Sequence, residues 1–224
     1  MKYLTYGDKN NKSVVLIHGM ATLALDCFGF LLDYLKDYYV VLVEVDGHIP
    51  DEPESILKSF PGACEDIERY INEELGGHVY CIGGLSMGPI LKKVYTSLFV
   101  IFAKWLQDGH NIPKFVYDNI YDRMFGKENR GIVDYFYRNI KKETLKTVCG
   151  FVYSYKFHEE IKNYEGEALF IYGSREPYAR KGANLLKNHL PSLQIREIEN
   201  MGHGQYLYNH HKEYARDFLE FLSR

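Results

Sequence analysis

The chain has 224 residues, of which 46% are hydrophobic, and its formal net charge is −3. This length and composition fit one α/β domain over residues 1–224 with a sizeable core better than two small domains. The nearly balanced charge gives no reason to expect binding to nucleic acid or to an anionic membrane. The 20 Tyr and 13 Phe residues either fill a core or line a large apolar pocket.

The sequence predicts a soluble cytoplasmic protein. Residues 1–7 lack the long apolar stretch of a signal peptide, and no later segment is apolar for long enough to span a membrane. The four cysteines are widely spaced and form no C-x-x-C pair, so we expect reduced thiols in the core: Cys27, Cys64, Cys81 and Cys149.

Short β-rich runs alternate with longer helical patterns along most of the chain. The runs at 14–17 and 40–43 are continuously apolar, which is typical of strands buried on both faces of a sheet. The alternation predicts a doubly wound, mostly parallel α/β sheet. The predicted strands cover residues 2–6, 14–18, 40–45, 78–82, 168–172 and 193–198.

Residues 97–166 interrupt this alternation with a helical, aromatic and charged stretch. About 70 residues are too many for an ordinary loop, so we expect a helical subdomain here. Ligands bind beyond the carboxyl ends of the strands in such sheets, and the subdomain would cover them as a lid. Several of its aromatic side chains could line the pocket: Phe99, Phe102, Trp105, Phe115, Tyr117 and Tyr121.

The segment 84–88, Gly-Leu-Ser-Met-Gly, follows a predicted strand and leads into a helical pattern. A G-x-S-x-G turn in this position is a nucleophile elbow. Gly84 and Gly88 carry no Cβ atoms that would block a sharp turn, so Ser86 can be held exposed. The sequence therefore predicts Ser86 as a nucleophile, provided that the chain also supplies a base and an acid.

His203 is the best candidate for the base that a serine hydroxyl requires. It lies between two glycines, a few residues beyond the last predicted strand, at the same sheet edge as the elbow. The other candidates are less well placed, because His110 and His158 fall in the helical insertion and His210 and His211 on a predicted solvated helix face.

The third member of a triad should be a carboxylate on a loop at the same edge. No aspartate lies between Asp134 and Asp217, so in the usual order of serine, acid and histidine the acid must be a glutamate or lie elsewhere. Glu176 follows the predicted strand at 168–172 directly, which places it at the required edge. The alternative is a solvated loop residue, or one paired with a nearby arginine.

An oxyanion hole needs two backbone N–H groups. Met87, after the nucleophile, would supply one, and Met20, in the turn after the strand at 14–18, would supply the other. His18 then has a structural role under that turn. We expect no metal at His18, because no second ligand follows at a suitable spacing.

These landmarks occur in an order that resembles the α/β-hydrolase superfamily, and in particular its small esterase-like branch with a serine nucleophile. The serine at position 86 excludes the haloalkane dehalogenases, because these enzymes have an aspartate at the elbow. The resemblance spans nearly the whole chain, with the insertion in the place of the variable cap. It rests on segments 18–21, 46–48, 84–88, 173–176 and 201–204.

The resemblance implies acyl transfer to Ser86, with His203 as general base and then acid, Glu176 as its orienting partner and water as acceptor. We therefore expect a hydrolase that cleaves a carboxylic ester or thioester of a small, fairly apolar acyl group, without a cofactor. An acyltransferase, a C–C hydrolase and a non-catalytic binding protein on the same scaffold are the alternatives.

Two features depart from the superfamily pattern. The triad acid is a glutamate where an aspartate is commoner, and the strand that usually follows the elbow helix is not evident. Three explanations stay open for the strand: a sheet with one strand fewer, a strand disguised in residues 98–102, or a segment absent after Gly88.

Overall fold

The structure is a computed structural model, and it describes residues 1–20, 22–49, 52, 54–85, 94–122, 126–154 and 159–224. The predicted strands are all present with small shifts, the largest at β4, which begins at Cys81 rather than at residue 78. The strands are β1 Lys2–Tyr6, β2 Ser13–Ile17, β3 Tyr39–Glu44, β4 Cys81–Gly84, β5 Leu169–Gly173 and β6 Gln194–Ile198.

The strands form a sheet in the order β1-β3-β2-β4 and a parallel pair, β5-β6. β2 runs parallel to both β3 and β4, whereas β1 is antiparallel to β3. The carboxyl ends of β2, β3 and β4 therefore meet at one edge. The predicted mostly parallel α/β architecture is confirmed.

Helices connect and cover these strands. In the part of the chain that the structure describes, no helix combines the length and the apolar character that crossing a membrane requires. The helices are α1 Ala24–Phe28, α2 Phe60–Glu74, α3 Val94–Gln107, α4 Lys114–Val116, α5 Arg130–Asn139, α6 Lys142–Ser154, α7 Pro177–His189, α8 Gln205–Asn209 and α9 His211–Leu222.

Both faces of the central strands are buried, as their continuous apolar sequence predicts. On one face, alternate residues of β2 and β3 such as Val14 and Leu42 pack with α1 and α9. On the other face, Val15 and Val41 pack with α2. Helices on both faces make the sheet doubly wound.

The helices α3 to α6 lie between β4 and β5 in the chain and share a core of their own. α3 packs against both α5 and α6. Leu106, Phe136 and Leu145 are almost fully buried in this core. Residues 98–102 belong to α3, so the disguised-strand explanation is wrong. Within the described residues, β4 pairs only with β2 and β5 only with β6.

The four cysteines are thiols, and none of them is in a disulfide. Cys27 and Cys149 are buried and Cys81 is partly buried, in agreement with the predicted core thiols. The prediction is wrong for Cys64, which is exposed on α2, because that helix turns a different face toward the sheet.

Candidate active site

The structure brings Glu176 and His203 into direct contact. Glu176 lies in the turn after β5, His203 lies in the loop after β6, and the imidazole Nδ1 is 2.5 Å from the carboxylate Oε1. The other carboxylate oxygen, Oε2, accepts a hydrogen bond of 2.9 Å from the backbone N–H of Gly173. The side chains of Glu176 and His203 are only 12% and 19% exposed. The carboxylate is therefore fixed to the main chain on one side and to the imidazole on the other.

Hydrogen bonds donated by backbone N–H groups join the two loops that carry this pair. The N–H of Arg175 donates to the carbonyl of Met201 at 2.9 Å, and the N–H of Asn200 donates to Ser174 Oγ at 2.9 Å. A Cβ at Gly173 would overlap the carbonyl of Met201, so only glycine permits this approach. The short distance between Glu176 and His203 thus follows from the main-chain packing of their loops.

The contact with Glu176 also determines the tautomer of His203. Nδ1 carries the proton that the carboxylate accepts, so Nε2 is the acceptor atom of the neutral ring. The turn that holds the ring is closed by a 2.6 Å hydrogen bond from the N–H of Gly202 to Gln205 Oε1. Gly204 follows at φ 70°, a conformation that glycine adopts without strain.

His18 organises the turn after β2. Its Nδ1 donates to the carbonyl of Gly19 at 2.7 Å, and its Nε2 accepts from the backbone N–H of Val45 at 2.9 Å. Burial lowers the pKa of His18 to about 3, so the ring is neutral near pH 7. In a trans peptide the C=O and N–H groups point in opposite directions. Holding the Gly19 carbonyl toward His18 therefore directs the N–H of Met20 away from His18.

Glu44, at the end of β3, supports the same turn and was missed by the sequence analysis. Its Oε1 accepts a 2.9 Å hydrogen bond from the N–H of Ala24, at the start of α1. Its Oε2 lies 3.5 Å from His18 Nε2 and has no hydrogen-bond partner within the described chain. Burial raises the pKa of the Glu44 carboxyl group. The available signal was an acidic residue in an otherwise continuous apolar run.

The predicted elbow begins where β4 ends. Gly84 is the last residue of β4, and the N–H of Leu85 donates to the carbonyl of Ile17 at 3.0 Å. The chain therefore leaves the sheet at the same edge as the turn that carries Met20. The predicted nucleophile Ser86, the donor Met87 and the elbow residue Gly88 lie outside the described residues.

A cavity of about 190 Å³ lies between the loops after β2 and β3 and the C-terminal end of α5. Two segments of the sheet edge form one wall, and the helical insertion forms the other. The lining residues are Thr22, Leu23, Gly47, His48, Ile49, Glu52, Ser55, Tyr135, Phe136, Arg138, Asn139, Ile140 and Lys141.

Of the six aromatic side chains proposed from sequence, the four that the structure describes do not line this cavity. Phe102 and Tyr117 pack in the core of the insertion, whereas Trp105 is 46% and Phe115 is 68% exposed. The side chains of Phe99 and Tyr121 lie outside the described part. The aromatic residues that line the cavity, Tyr135 and Phe136 on α5, were not singled out by their sequence pattern.

The alternative histidines lie in other surroundings. The His110 ring lies against Trp105 in the insertion, with centroids 5.0 Å apart. The His211 ring stacks on Phe30 at 4.1 Å, and His158 lies outside the described residues. Among the residues described, no group of His, Cys, Asp and Glu side chains could hold a metal ion.

In sequence, the chain matches no family model and no curated protein. In structure, it is similar to a carboxylesterase of the thaumarchaeon Nitrososphaera gargenis, with a TM-score of 0.74 and 13% identity over 99% of this chain and 93% of that one. The chain has the α/β-hydrolase fold.

Two further α/β-hydrolase structures are similar over almost their entire length. MenH from S. aureus has a TM-score of 0.73 and 16% identity, over 99% of this chain and 97% of that one. The enol-lactonase from Burkholderia xenovorans has a TM-score of 0.70 and 16% identity, over 100% of this chain and 96% of that one. The predicted resemblance in fold is confirmed.

Proposed function

We propose that this α/β-hydrolase cleaves a carboxylic ester or thioester through an acyl-enzyme on Ser86. The contact between Glu176 and His203 at the carboxyl edge of the strands carries this proposal. A serine hydroxyl needs a neighbouring base, and a base oriented by a buried carboxylate is the arrangement that activates it. The similarity in fold to a carboxylesterase and an enol-lactonase supports ester chemistry.

In the proposed reaction, Ser86 Oγ attacks the carbonyl carbon of the substrate while His203 Nε2 takes the hydroxyl proton. The N–H groups of Met20 and Met87 donate to the oxyanion that forms. Collapse of the tetrahedral intermediate breaks the bond to the leaving alcohol or thiol, which takes the proton from His203. A water molecule then repeats these steps and releases the acid, and Glu176 stabilises the imidazolium each time.

The helical insertion at 97–166 is part of the proposal as a lid. Met20, the proposed oxyanion donor, packs against the core of the insertion together with Val100 and Phe102. This contact supports a lid that closes over the oxyanion turn. We further propose a small, fairly apolar acyl group as the substrate portion that becomes attached to Ser86, and a cytoplasmic location for the enzyme.

A fluorophosphonate probe tests the nucleophile, because it labels activated serines covalently. We expect labelling that is lost in Ser86→Ala and retained in Ser192→Ala, which changes an exposed serine in the turn before β6. Labelling that survives Ser86→Ala would overturn the assignment. A chain-length series of p-nitrophenyl esters, compared with acyl-CoA thioesters, then separates an esterase from a thioesterase and both from an inert binding protein.

A further inference from the structure

The proposed reaction requires that two loops keep a fixed position relative to each other. The turn after β2 carries Met20, the proposed oxyanion donor, and the loop after β6 carries His203, the proposed base. A displacement of about 1 Å between catalytic groups can cost about 10²-fold in rate. A direct contact between the two loops is therefore important for catalysis as well as for folding.

Tyr208 packs against the loop that carries the base. It lies on α8, the short helix after this loop, and its N–H donates to the carbonyl of Gly204 at 3.0 Å. A Cβ at Gly204 would lie 3.0 Å from Cε2 of the Tyr208 ring, so the ring packs directly on the residue after His203. The Tyr208 hydroxyl lies 3.5 Å from Sγ of Cys27, on α1 and 181 positions away in the sequence.

Cys27 in turn contacts the turn after β2. Its Sγ lies 2.8 Å from Oγ1 of Thr22, and the Thr22 hydroxyl lies 3.4 Å from the carbonyl oxygen of Gly19. The same carbonyl accepts the hydrogen bond of 2.7 Å from His18 Nδ1. Because Cys27 is fully buried, its contacts are shielded from solvent. A series of hydrogen bonds therefore leads from Tyr208 to the carbonyl of Gly19.

The donors and acceptors in this series follow from its last acceptor. A carbonyl oxygen can only accept, so the Thr22 hydroxyl donates to Gly19. Thr22 Oγ1 then accepts from the Cys27 thiol, and Cys27 Sγ accepts from the Tyr208 hydroxyl. Burial raises the pKa of both the Cys27 thiol and the Tyr208 hydroxyl, so both groups carry their protons near pH 7. All three hydrogen bonds therefore point from Tyr208 toward the carbonyl of Gly19.

The orientation of the Gly19 carbonyl determines that of the proposed oxyanion donor. This carbonyl and the N–H of Met20 belong to one trans peptide, so a donor that holds the first also directs the second. His18 and Thr22 both donate to the carbonyl. The hydroxyl of Tyr208 supports the second of these donors from the side of the base loop.

We propose that Tyr208 is a positioning residue, which holds the oxyanion donor Met20 in place relative to the base His203. The thiol of Cys27 and the hydroxyl of Thr22 are the links through which it acts. Tyr208 takes no direct part in the reaction. This inference rests on the proposed function, because it concerns the geometry of the same reacting centre.

Tyr208→Phe tests the proposal, because it keeps the ring on Gly204 and removes only the hydroxyl. A neutral hydrogen bond corresponds to a change of up to about tenfold. For a p-nitrophenyl ester we therefore expect kcat to fall about three- to tenfold, with KM changed by less than about twofold. The matched control is Tyr206→Phe, on the same helix, because the Tyr206 hydroxyl donates to Asp217 Oδ2 at 2.6 Å, on α9. An unchanged kcat in Tyr208→Phe, or an equal loss in Tyr206→Phe, would overturn the proposal.

Substitutions of Cys27 test the link itself. Cys27→Ser keeps a group that accepts from Tyr208 and donates to Thr22, so it should retain most of the wild-type kcat. Cys27→Ala removes the link and should lower kcat as much as Tyr208→Phe does. Since both changes break the same series of hydrogen bonds, the double variant should lose about as much as either single variant. Losses that multiply in the double variant, or equal losses in Cys27→Ser and Cys27→Ala, would contradict the link.

The NMR amide resonance of Met20 separates this inference from the proposed function, because it is measured without substrate. It should shift in Tyr208→Phe and Cys27→Ala but not in Tyr206→Phe. A resonance that stays in place in the first two variants would overturn the inference in an active enzyme as well. A wild-type protein that neither cleaves esters nor reacts with a fluorophosphonate would contradict the serine hydrolase assignment instead. The Met20 resonance would then still decide whether Tyr208 positions the turn.

Discussion

The imidazole Nδ1 of His203 lies 2.5 Å from Oε1 of Glu176, across 27 positions in the sequence. The second carboxylate oxygen is held by the N–H of Gly173, so the glutamate cannot rotate away without losing a backbone partner. In the proposed triad, this hydrogen bond would let a glutamate take the place of the commoner, shorter aspartate. The additional methylene lets the carboxylate reach the imidazole from the first turn after β5.

We predict that Glu176→Gln lowers kcat for a p-nitrophenyl ester by about 10²- to 10⁴-fold, with a smaller change in KM. The amide would donate to His203 through its nitrogen and favour the tautomer that cannot accept the serine proton. Glu197→Gln is the matched control, because Glu197 pairs with Arg180 on the surface of β6. A loss of less than about threefold in Glu176→Gln would show that the carboxylate does not orient the base.

We predict that His18→Phe lowers both stability and catalytic rate. The change leaves the carbonyl of Gly19 and the N–H of Val45 without their partner, and each such buried group costs about 1–3 kcal/mol. The N–H of Met20 would lose its fixed direction, and loss of one oxyanion donor costs about 10²- to 10³-fold in kcat. Urea unfolding measures the first effect, and steady-state kinetics under conditions where the variant is folded measure the second. An unchanged kcat in the folded variant would show that His18 does not orient the proposed oxyanion donor, the N–H of Met20.

The order of elements could be predicted because each depends on local sequence. The apolar runs in β2 and β3 indicate strands buried on both faces, and a strand end followed by a turn fixes the sheet edge at which Glu176 and His203 lie. The contact between those two side chains could be expected for the same reason, since carboxyl ends of parallel strands meet at one edge.

The features that sequence did not predict depend on contacts between distant segments. Glu44 interrupts an apolar run, and only the position of α1 shows that its carboxylate receives the N–H of Ala24. The helix α3 is apolar nearly all round, so its periodicity could not show that Trp105 faces solvent and Phe102 the insertion core. For the same reason, the sequence could not show that α5 lines the cavity. The packing of α3 against α5 and α6 decides which helix faces border it.

We predict that the protein loses stability as the pH falls below about 6.5, in part because of His18 and His48. Their folded-state pKa values are lowered to about 3 and about 4, whereas the unfolded chain takes up protons near 6.5. The unfolded state therefore binds more protons in this window, and each histidine removes up to about 1.4 kcal/mol per pH unit. The raised pKa of Glu44 acts in the opposite direction, so a comparison of variants is needed.

Urea unfolding of wild type and His48→Phe at pH 7.5, 6.5, 5.5 and 4.5 gives that comparison. The free energy of unfolding should fall less steeply in the variant, by up to about 1.4 kcal/mol per pH unit below pH 6.5. Parallel pH dependences would mean that His48 takes up its proton equally in the folded and unfolded states.

We predict that Gly47→Ala is more destabilising than Gly76→Ala, although both glycines have positive φ, 79° and 66°. A Cβ at Gly76 meets no atom within 4 Å, so this variant loses only the backbone term of about 1–2 kcal/mol. A Cβ at Gly47 would lie 2.7 Å from Cγ2 and 2.8 Å from Cβ of Thr144, and would overlap its hydroxyl. Overpacking of this kind adds about 1–3 kcal/mol.

The overpacking in Gly47→Ala would also disturb the contact that attaches the insertion to the sheet edge. Thr144 lies on α6, is fully buried, and its hydroxyl accepts a 3.2 Å hydrogen bond from the N–H of Leu57. A threonine displaced by the new methyl group would lose this bond. Hydrogen exchange should therefore show weaker protection of the Leu57 amide in Gly47→Ala but not in Gly76→Ala. Equal losses of stability in the two variants, with unchanged protection at Leu57, would show that the loop after β3 adjusts without disturbing α6.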